Sequence, residues 1–121
     1  MKKENIIVVK SKRFAVNAIN LYKFLLENKK EYILSKQFVR SATSIGANIK
    51  EADNSMTKKE FISKLNISLK EANETEYWLE LLFETNYLDE KQFNSFHKDC
   101  IELIKLLTVI IKTSISSISK K

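Results

Sequence analysis

Apolar residues recur along this chain at steps of three and four, the spacing of one face of an α-helix, and they do so in four separate runs. In the first run Phe14, Ala18, Leu21 and Leu25 share a face. Ser11 is a good N-cap ahead of it and Asn28-Lys29-Lys30 closes it, so the pattern predicts a helix over residues 11–28. The second run, Leu34, Phe38, Ala42, Ile45, Ile49 and Ala52, predicts a helix over residues 32–53. The third has the clearest start. Thr57-Lys58-Lys59-Glu60 is a capping box, in which the threonine hydroxyl satisfies a free backbone N–H and the glutamate reaches back to the cap. Phe61, Leu65, Leu69, Ala72, Leu79 and Phe83 follow, and the predicted helix covers residues 58–85. Asp89 with Gln92 repeats the device ahead of Phe93, Phe96, Cys100, Leu103, Leu107 and Ile110. That predicts a fourth helix over residues 90–113, with a serine- and lysine-rich tail, Ser114 to Lys121, expected to fray.

Helices of 20 or more residues span about 30–40 Å, and connections of a few residues force successive helices antiparallel. The expected fold is all-α, an antiparallel up-down-up-down four-helix bundle forming one domain over residues 1–121. Composition narrows the choice further. The chain holds one glycine and no proline, where average usage gives about eight and about six. Hairpins, sandwiches and Rossmann-type units need those residues at their turns, so those classes are excluded.

Local departures from the pattern mark candidate sites. The third segment carries apolar residues beyond its core stripe: Ile62, Ile67, Tyr77, Trp78, Leu81 and Leu82. A helix apolar on more than one face is usually buried on more than one face, which points to self-association through Tyr77, Trp78 and Leu81. The alternative is that Tyr77 and Trp78 cap the bundle end. Gly46 sits inside the second segment, where glycine costs about 1 kcal/mol relative to alanine, and so marks a bend or a close helix approach. Ser44, Asn48 and Glu51 share one helix face, as do Glu71 and Thr75 (or Glu74) on the third segment. They form a candidate polar seam that fixes register, with a carboxylate metal site as the competing reading.

Metal chemistry is not expected. Di-metal bundles use Glu-x-x-His pairs from facing helices, and the single histidine, His97, has no glutamate at that spacing. Cys100 stands alone on an apolar stripe, so it offers neither a disulfide nor an activated thiol. One glycine cannot build a phosphate-binding loop. No cofactor, small-molecule substrate or enzymatic activity is expected. An enzyme would need a metal or nucleotide held by Glu51, Glu71 or Glu74.

Net charge is +6, but unevenly placed: +8 over residues 1–59 and −2 over residues 60–121. A basic first half can mean a phosphate-facing surface or simply pairing between the halves. Lys10, Lys12, Arg13, Lys36, Arg40 and Lys50 are the candidate phosphate contacts, with Lys58 and Lys59 as additions. The start of the chain does not read as a signal peptide, and Ile101 to Ile118 is broken by Glu102, Lys105 and Lys112. No membrane span is expected, and the cytoplasm is the expected location.

Four stretches together carry a family resemblance. They are Lys10-Ser11-x-x-Phe14-Ala15; Gln37-x-x-Arg40-Ser41-x-Thr43-Ser44-Ile45-Gly46-Ala47-Asn48-Ile49-x-Glu51-Ala52; and Phe61-x-x-Lys64-Leu65 with Lys70-Glu71-Ala72-x-Glu74-Thr75-x-Tyr77-Trp78-Leu79. Over about residues 6–110 the chain resembles the bacterial four-helix-bundle proteins related to those encoded in intervening sequences of large-subunit ribosomal RNA genes. It also resembles the accessory variability proteins of diversity-generating retroelements. Many members read Ser-Ile-Pro-Ala-Asn-Ile-x-Glu-Gly, where this chain has Gly46 for the proline and Ala52 for the final glycine. The resemblance implies a ring-shaped homopentamer, and for the retroelement relatives work with a reverse transcriptase and nucleic acid. The expected function is a non-enzymatic oligomer that binds RNA, DNA or a nucleoprotein through its basic surface. The alternative is a protein-interaction or structural scaffold that binds no nucleic acid.

Overall fold

The computed structural model describes residues 2–119, with side chains placed over residues 6–118. Its elements are α1 (Lys2–Asn28), α2 (Leu34–Asp53), α3 (Lys58–Glu84) and α4 (Glu90–Ser119), with no strand among the described residues. α1 packs on α2, α2 on α3 and α3 on α4, and α4 returns to α1 through the sparsest of the four contacts. Interhelical pairs fix the directions. Along α2 the residues Arg40, Ser41, Ile45 and Glu51 meet Glu74, Thr75, Ser68 and Lys64 of α3, so the two helices run antiparallel. Cys100 and His97 of α4 meet Ala72 and Glu76 of α3 in the same antiparallel sense. Lys10 and Phe14 of α1 meet Glu102 and Phe96 of α4 likewise. The bundle is up-down-up-down.

The core holds most of the expected stripe of each helix, including Phe14, Leu25, Phe38, Ile45, Leu65, Leu79, Leu103 and Leu107, all buried. On α3 the expected Phe61, Leu69 and Phe83 are only half-buried, and Leu82, read as surplus to the stripe, is fully buried in the core because the helix face turned inward is centred on Leu65, Ala72, Leu79 and Leu82. Three phenylalanines tie α1, α4 and α2 together at its centre. Phe96 makes edge-on contacts at 6.1 Å with both Phe14 and Phe38, the arrangement the aromatic quadrupole favours.

Two helix ends differ from the sequence reading. Ser11 is no N-cap: α1 runs from Lys2, and Ser11 lies buried within it, its hydroxyl donating to the Val8 carbonyl at 3.2 Å. Ile7, Ser11, Phe14 and Ala18 form one continuous buried stripe, so a serine read as punctuation is a small core residue. At the other end Ile110, Ile111 and Ser114 remain buried, and α4 continues to Ser119 where fraying was expected from Ser114. Lys120 and Lys121 lie outside the described residues.

The caps explain the other boundaries. Thr57 Oγ1 accepts from the Glu60 N–H at 3.1 Å, while the Glu60 carboxylate reaches back to the Met56 N–H rather than to Thr57. Asp89 and Gln92 form the full reciprocal box, at 2.7 and 3.0 Å. At α2 the cap comes from Glu31, a buried residue whose carboxylate accepts from the N–H groups of Ile33, Leu34 and Ser35 at 3.1, 3.0 and 2.7 Å. An anion at a helix N-terminus meets the positive end of the dipole, and α2 therefore starts at Leu34, two residues later than expected. With no glycine available, the left-handed positions after α1 and α3 fall to Lys30 (φ 55°) and Asn86 (φ 70°). Asparagine adopts that region more readily than other non-glycine residues.

Gly46 marks a close approach. α2 passes through it as continuous helix, and a methyl group there would sit 3.4 Å from both the carbonyl oxygen and the hydroxyl of Ser11. Small residues on both sides let α1 and α2 meet.

Candidate functional site

The six candidate phosphate contacts divide among three seams. Lys12 and Lys50 stand on opposite sides of a groove of about 330 Å³ between α1 and α2, floored by Ser11, Ala15, Gly46 and Ala47. Lys36, Thr43 and Lys50 are seven residues apart in turn, two helical turns each, so Lys36 lies on that same face of α2. No carboxylate lines this groove among the described residues. Lys10 and Arg13 instead line a crevice of about 100 Å³ between α1 and α4, with Asp99 and Glu102 opposite, and Lys10 pairs with Glu102 at 3.1 Å. Arg40 turns the other way, toward α3.

Arg40 forks onto two carboxylates, reaching Glu71 Oε1 through Nη1 at 3.3 Å and Glu74 Oε2 through Nη2. Glu74 also accepts from the Trp78 indole N–H at 3.1 Å. Burial opposes ionisation of Glu74, but the hydrogen bonds from Trp78 and Arg40 outweigh it and hold the carboxyl below its ordinary range. The Glu74 hydrogen bond is likewise the main cause that raises the Arg40 guanidinium. Arg40 is thus committed to the α2–α3 seam, along with the tryptophan beside it.

The seam itself differs from the residues that marked it. Thr75 is buried and its hydroxyl donates across the interface to Ser41 Oγ at 2.8 Å. Ser68, also buried, donates to the Ile45 carbonyl at 2.8 Å. Glu71 meets Arg40, and Glu51 meets Lys64 at 2.7 Å. Ser44 and Asn48 do not cross: the Ser44 hydroxyl donates to the Arg40 carbonyl and the Asn48 amide to the Ser44 carbonyl, both on their own helix. Ser41 and Ser68 were missed, although Ser68 falls between Leu65 and Ala72 on the core stripe and was legible as a buried hydroxyl.

Of the candidate interface residues, Trp78 and Leu81 are half-buried and Trp78 packs against the core. Tyr77 is 53% exposed and lies edge-on to Trp78 at 5.3 Å. Tyr32 and Ile33, just before α2, are also exposed apolar residues.

A further cluster was not legible along the chain. His97 on α4 meets Glu76 on α3, with Nε2 and Oε2 2.9 Å apart, and Glu80 lies one turn on from Glu76. One donor atom from each of Glu76, Glu80 and His97 falls within 4.8 Å of the others. The Glu-x-x-His spacing sought on one helix is replaced by a partner on the next. The Phe83–Phe93 stack, centroids 4.5 Å apart, sets α3 against α4 beside it. Cys100 is inert packing by its surroundings: it is fully buried, and burial pushes its thiol up to about 12.

Fold and surface together define an all-α bundle with a polar α2–α3 seam and a lysine-flanked α1–α2 groove. Residues 3–109 match the family described as 23S rRNA-intervening sequence protein, and the chain belongs to that family. Among solved structures it is similar to a protein of unknown function from the S23 ribosomal protein family of Bacteroides thetaiotaomicron VPI-5482. The two share 55% identity over 91% of this chain and 98% of the other, with a TM-score of 0.90. No curated protein matches. Among the described residues no helix is long and apolar enough to cross a membrane.

Proposed function

We propose that this chain is a non-enzymatic, cytoplasmic bundle protein that assembles with copies of itself and binds RNA or a ribonucleoprotein through its α1–α2 face. The observation that carries this reading is the groove with Lys12 and Lys50 on its two walls and Lys36 further along the same face of α2. These lysines have no described carboxylate partner, whereas Lys10 and Arg40 do. Ammonium groups beside a narrow apolar floor suit a phosphate backbone and read no bases, so binding is weakly sequence-specific. A family named for an intervening sequence of 23S rRNA makes structured RNA the first probe. The exposed Tyr77 beside Trp78 and Leu81 supports self-association, in the five-membered ring that the family resemblance implies.

The test is filter binding of the full chain to structured RNA across a salt series, with light scattering in parallel. Retention at micromolar concentrations in low salt is expected, falling steeply as salt rises because bound phosphates release counterions. Replacing Lys12, Lys36 and Lys50 by glutamate should abolish it, while Lys105→Glu, on α4 and away from the groove, leaves it largely intact. Absence of retention at about 50 mM salt removes the RNA reading. The same protein running as an oligomer would then support the alternative, a protein-interaction scaffold.

A further inference from the structure

The geometry points to a divalent transition-metal site formed by Glu76 and Glu80 of α3 with His97 of α4. Imidazole and carboxylate are the nitrogen and oxygen donors that zinc and neighbouring first-row cations accept. Metal–ligand distances of 2.0–2.2 Å in tetrahedral geometry put adjacent ligand atoms about 3.3–3.6 Å apart, and His97 Nε2 stands 2.9 Å from Glu76 Oε2, so a small outward rotation of the glutamate admits the ion. The Glu80 oxygen, within 4.8 Å of both, closes on the ion by side-chain rotation, since Glu80 is only half-buried. Water completes the coordination from the solvent side.

Charge makes the same demand independently. Other carboxylates at helix seams lie with basic side chains: Glu71 and Glu74 meet Arg40, Glu51 meets Lys64, Glu102 meets Lys10, and Asp99 lines a crevice that also holds Lys10 and Arg13. Glu76 and Glu80 face one imidazole between them, and no described lysine or arginine pairs with either. Glu84 extends this acidic row toward the end of α3, and the last turn carries no basic residue. Carboxylates there oppose the negative end of the helix dipole and repel one another at four-residue spacing. A divalent cation relieves both conflicts.

The imidazole is also held ready. Its ring stacks on Phe93 at 5.0 Å, and Phe93 stacks in turn on Phe83. The stack fixes the ring plane while Nε2 points at Glu76. Metal binding needs the lone pair of Nε2, so a proton held between Nε2 and Oε2 moves to Nδ1 when that nitrogen is bare and to solvent otherwise. The two helices are then clipped together near the α3–α4 turn.

Calorimetric titration of the chelator-stripped full chain with zinc chloride is the test. One zinc ion per chain is expected. Both His97→Gln and Glu80→Gln should weaken binding at least about tenfold, and Glu51→Gln should bind as wild type. Glu80 makes no described hydrogen bond, so its variant keeps the fold, which far-UV circular dichroism verifies. Cobalt(II) in place of zinc should give visible d–d bands without a thiolate charge-transfer band. The proposal is overturned by no saturable heat, by wild-type affinity in both variants, by equal loss in Glu51→Gln, or by a thiolate band implicating Cys100.

Discussion

Between α2 and α3, hydroxyl groups are buried and paired across the helices. Between α1 and α4, a phenylalanine contact does the joining and crevices open on either side of it. The first seam holds Thr75 on Ser41, Ser68 on the Ile45 carbonyl, and the Arg40 fork onto Glu71 and Glu74. The second holds Phe14 on Phe96, with one exposed ion pair and openings of about 100 and 350 Å³ lined by both helices. A slip of one turn at the polar seam would strand buried hydroxyls, each at a cost of about 1–3 kcal/mol. A similar slip at the apolar seam only exchanges one hydrocarbon contact for another. Register is therefore set by α2 and α3, and α1 and α4 close around them.

Truncating the two phenylalanines separates these materials most sharply. Phe38 is fully buried, and Phe38→Ala should cost about 3–5 kcal/mol, the range for a closed cavity. Phe14 is equally buried but lines the α1–α4 crevice, so its surroundings can relax. Phe14→Ala should cost less by at least about 1 kcal/mol. Urea unfolding of both variants measures this, and equal losses would mean that the α1–α4 seam is packed as tightly as the rest.

A smaller effect isolates the hydroxyls. Thr75→Val keeps volume and shape but removes the donor to Ser41, leaving a buried acceptor short of a partner. The expected loss is about 1–2 kcal/mol, seen as a lower urea midpoint at unchanged slope. A variant as stable as wild type would show that the Thr75–Ser41 hydrogen bond adds nothing to the seam.

How much of this contrast could be read along the chain depends on which interactions are local. Helix existence followed from periodicity, and the caps at Thr57 and Asp89 from four-residue motifs. Ser11 misled because a lone serine after apolar residues looks the same whether it caps a helix or lies within one. What distinguishes the cases is Gly46, thirty-five residues on, which meets it in space. The Glu31 cap was obscure because it reaches α2 from the preceding loop. Ser44 and Asn48 share a helix face with seam residues, yet their side chains turn back to their own helix, as serine and asparagine often do. The basic residues were visible, but whether each faces a groove or a carboxylate is decided by helix rotation. Glu76 and His97 lie twenty-one residues apart on different helices, and nothing short-range links them.

Acid should weaken the α2–α3 seam through Glu74, whose carboxyl lies below its ordinary value of 4.5. A group with a lowered folded pKa stabilises the fold above its unfolded pKa and loses that contribution as pH falls through the folded one. Arg40→Met should therefore cost about 1 kcal/mol or less at neutral pH, since Arg40 is 47% exposed. The gap between variant and wild type should narrow as pH drops below about 4.5. Stability curves for the two proteins at several pH values test this, and a gap that stays constant into acid would remove Glu74 from the account.

The least effect is expected where the α1–α4 seam has its only described ion pair. Lys10 and Glu102 are 38% and 49% exposed, so solvent screens their attraction and holding two long side chains together costs entropy. Such pairs contribute about 0–1 kcal/mol. Lys10→Met removes the charge but keeps the hydrocarbon stem, which already lies along the crevice with Phe14 and Leu103. The variant should stay within about 0.5 kcal/mol of wild type, with a salt dependence of stability hardly different from it. A loss of more than about 1 kcal/mol would mean that electrostatics, and not the phenylalanine contact, draws α1 onto α4, and the contrast between the two seams would then be one of degree.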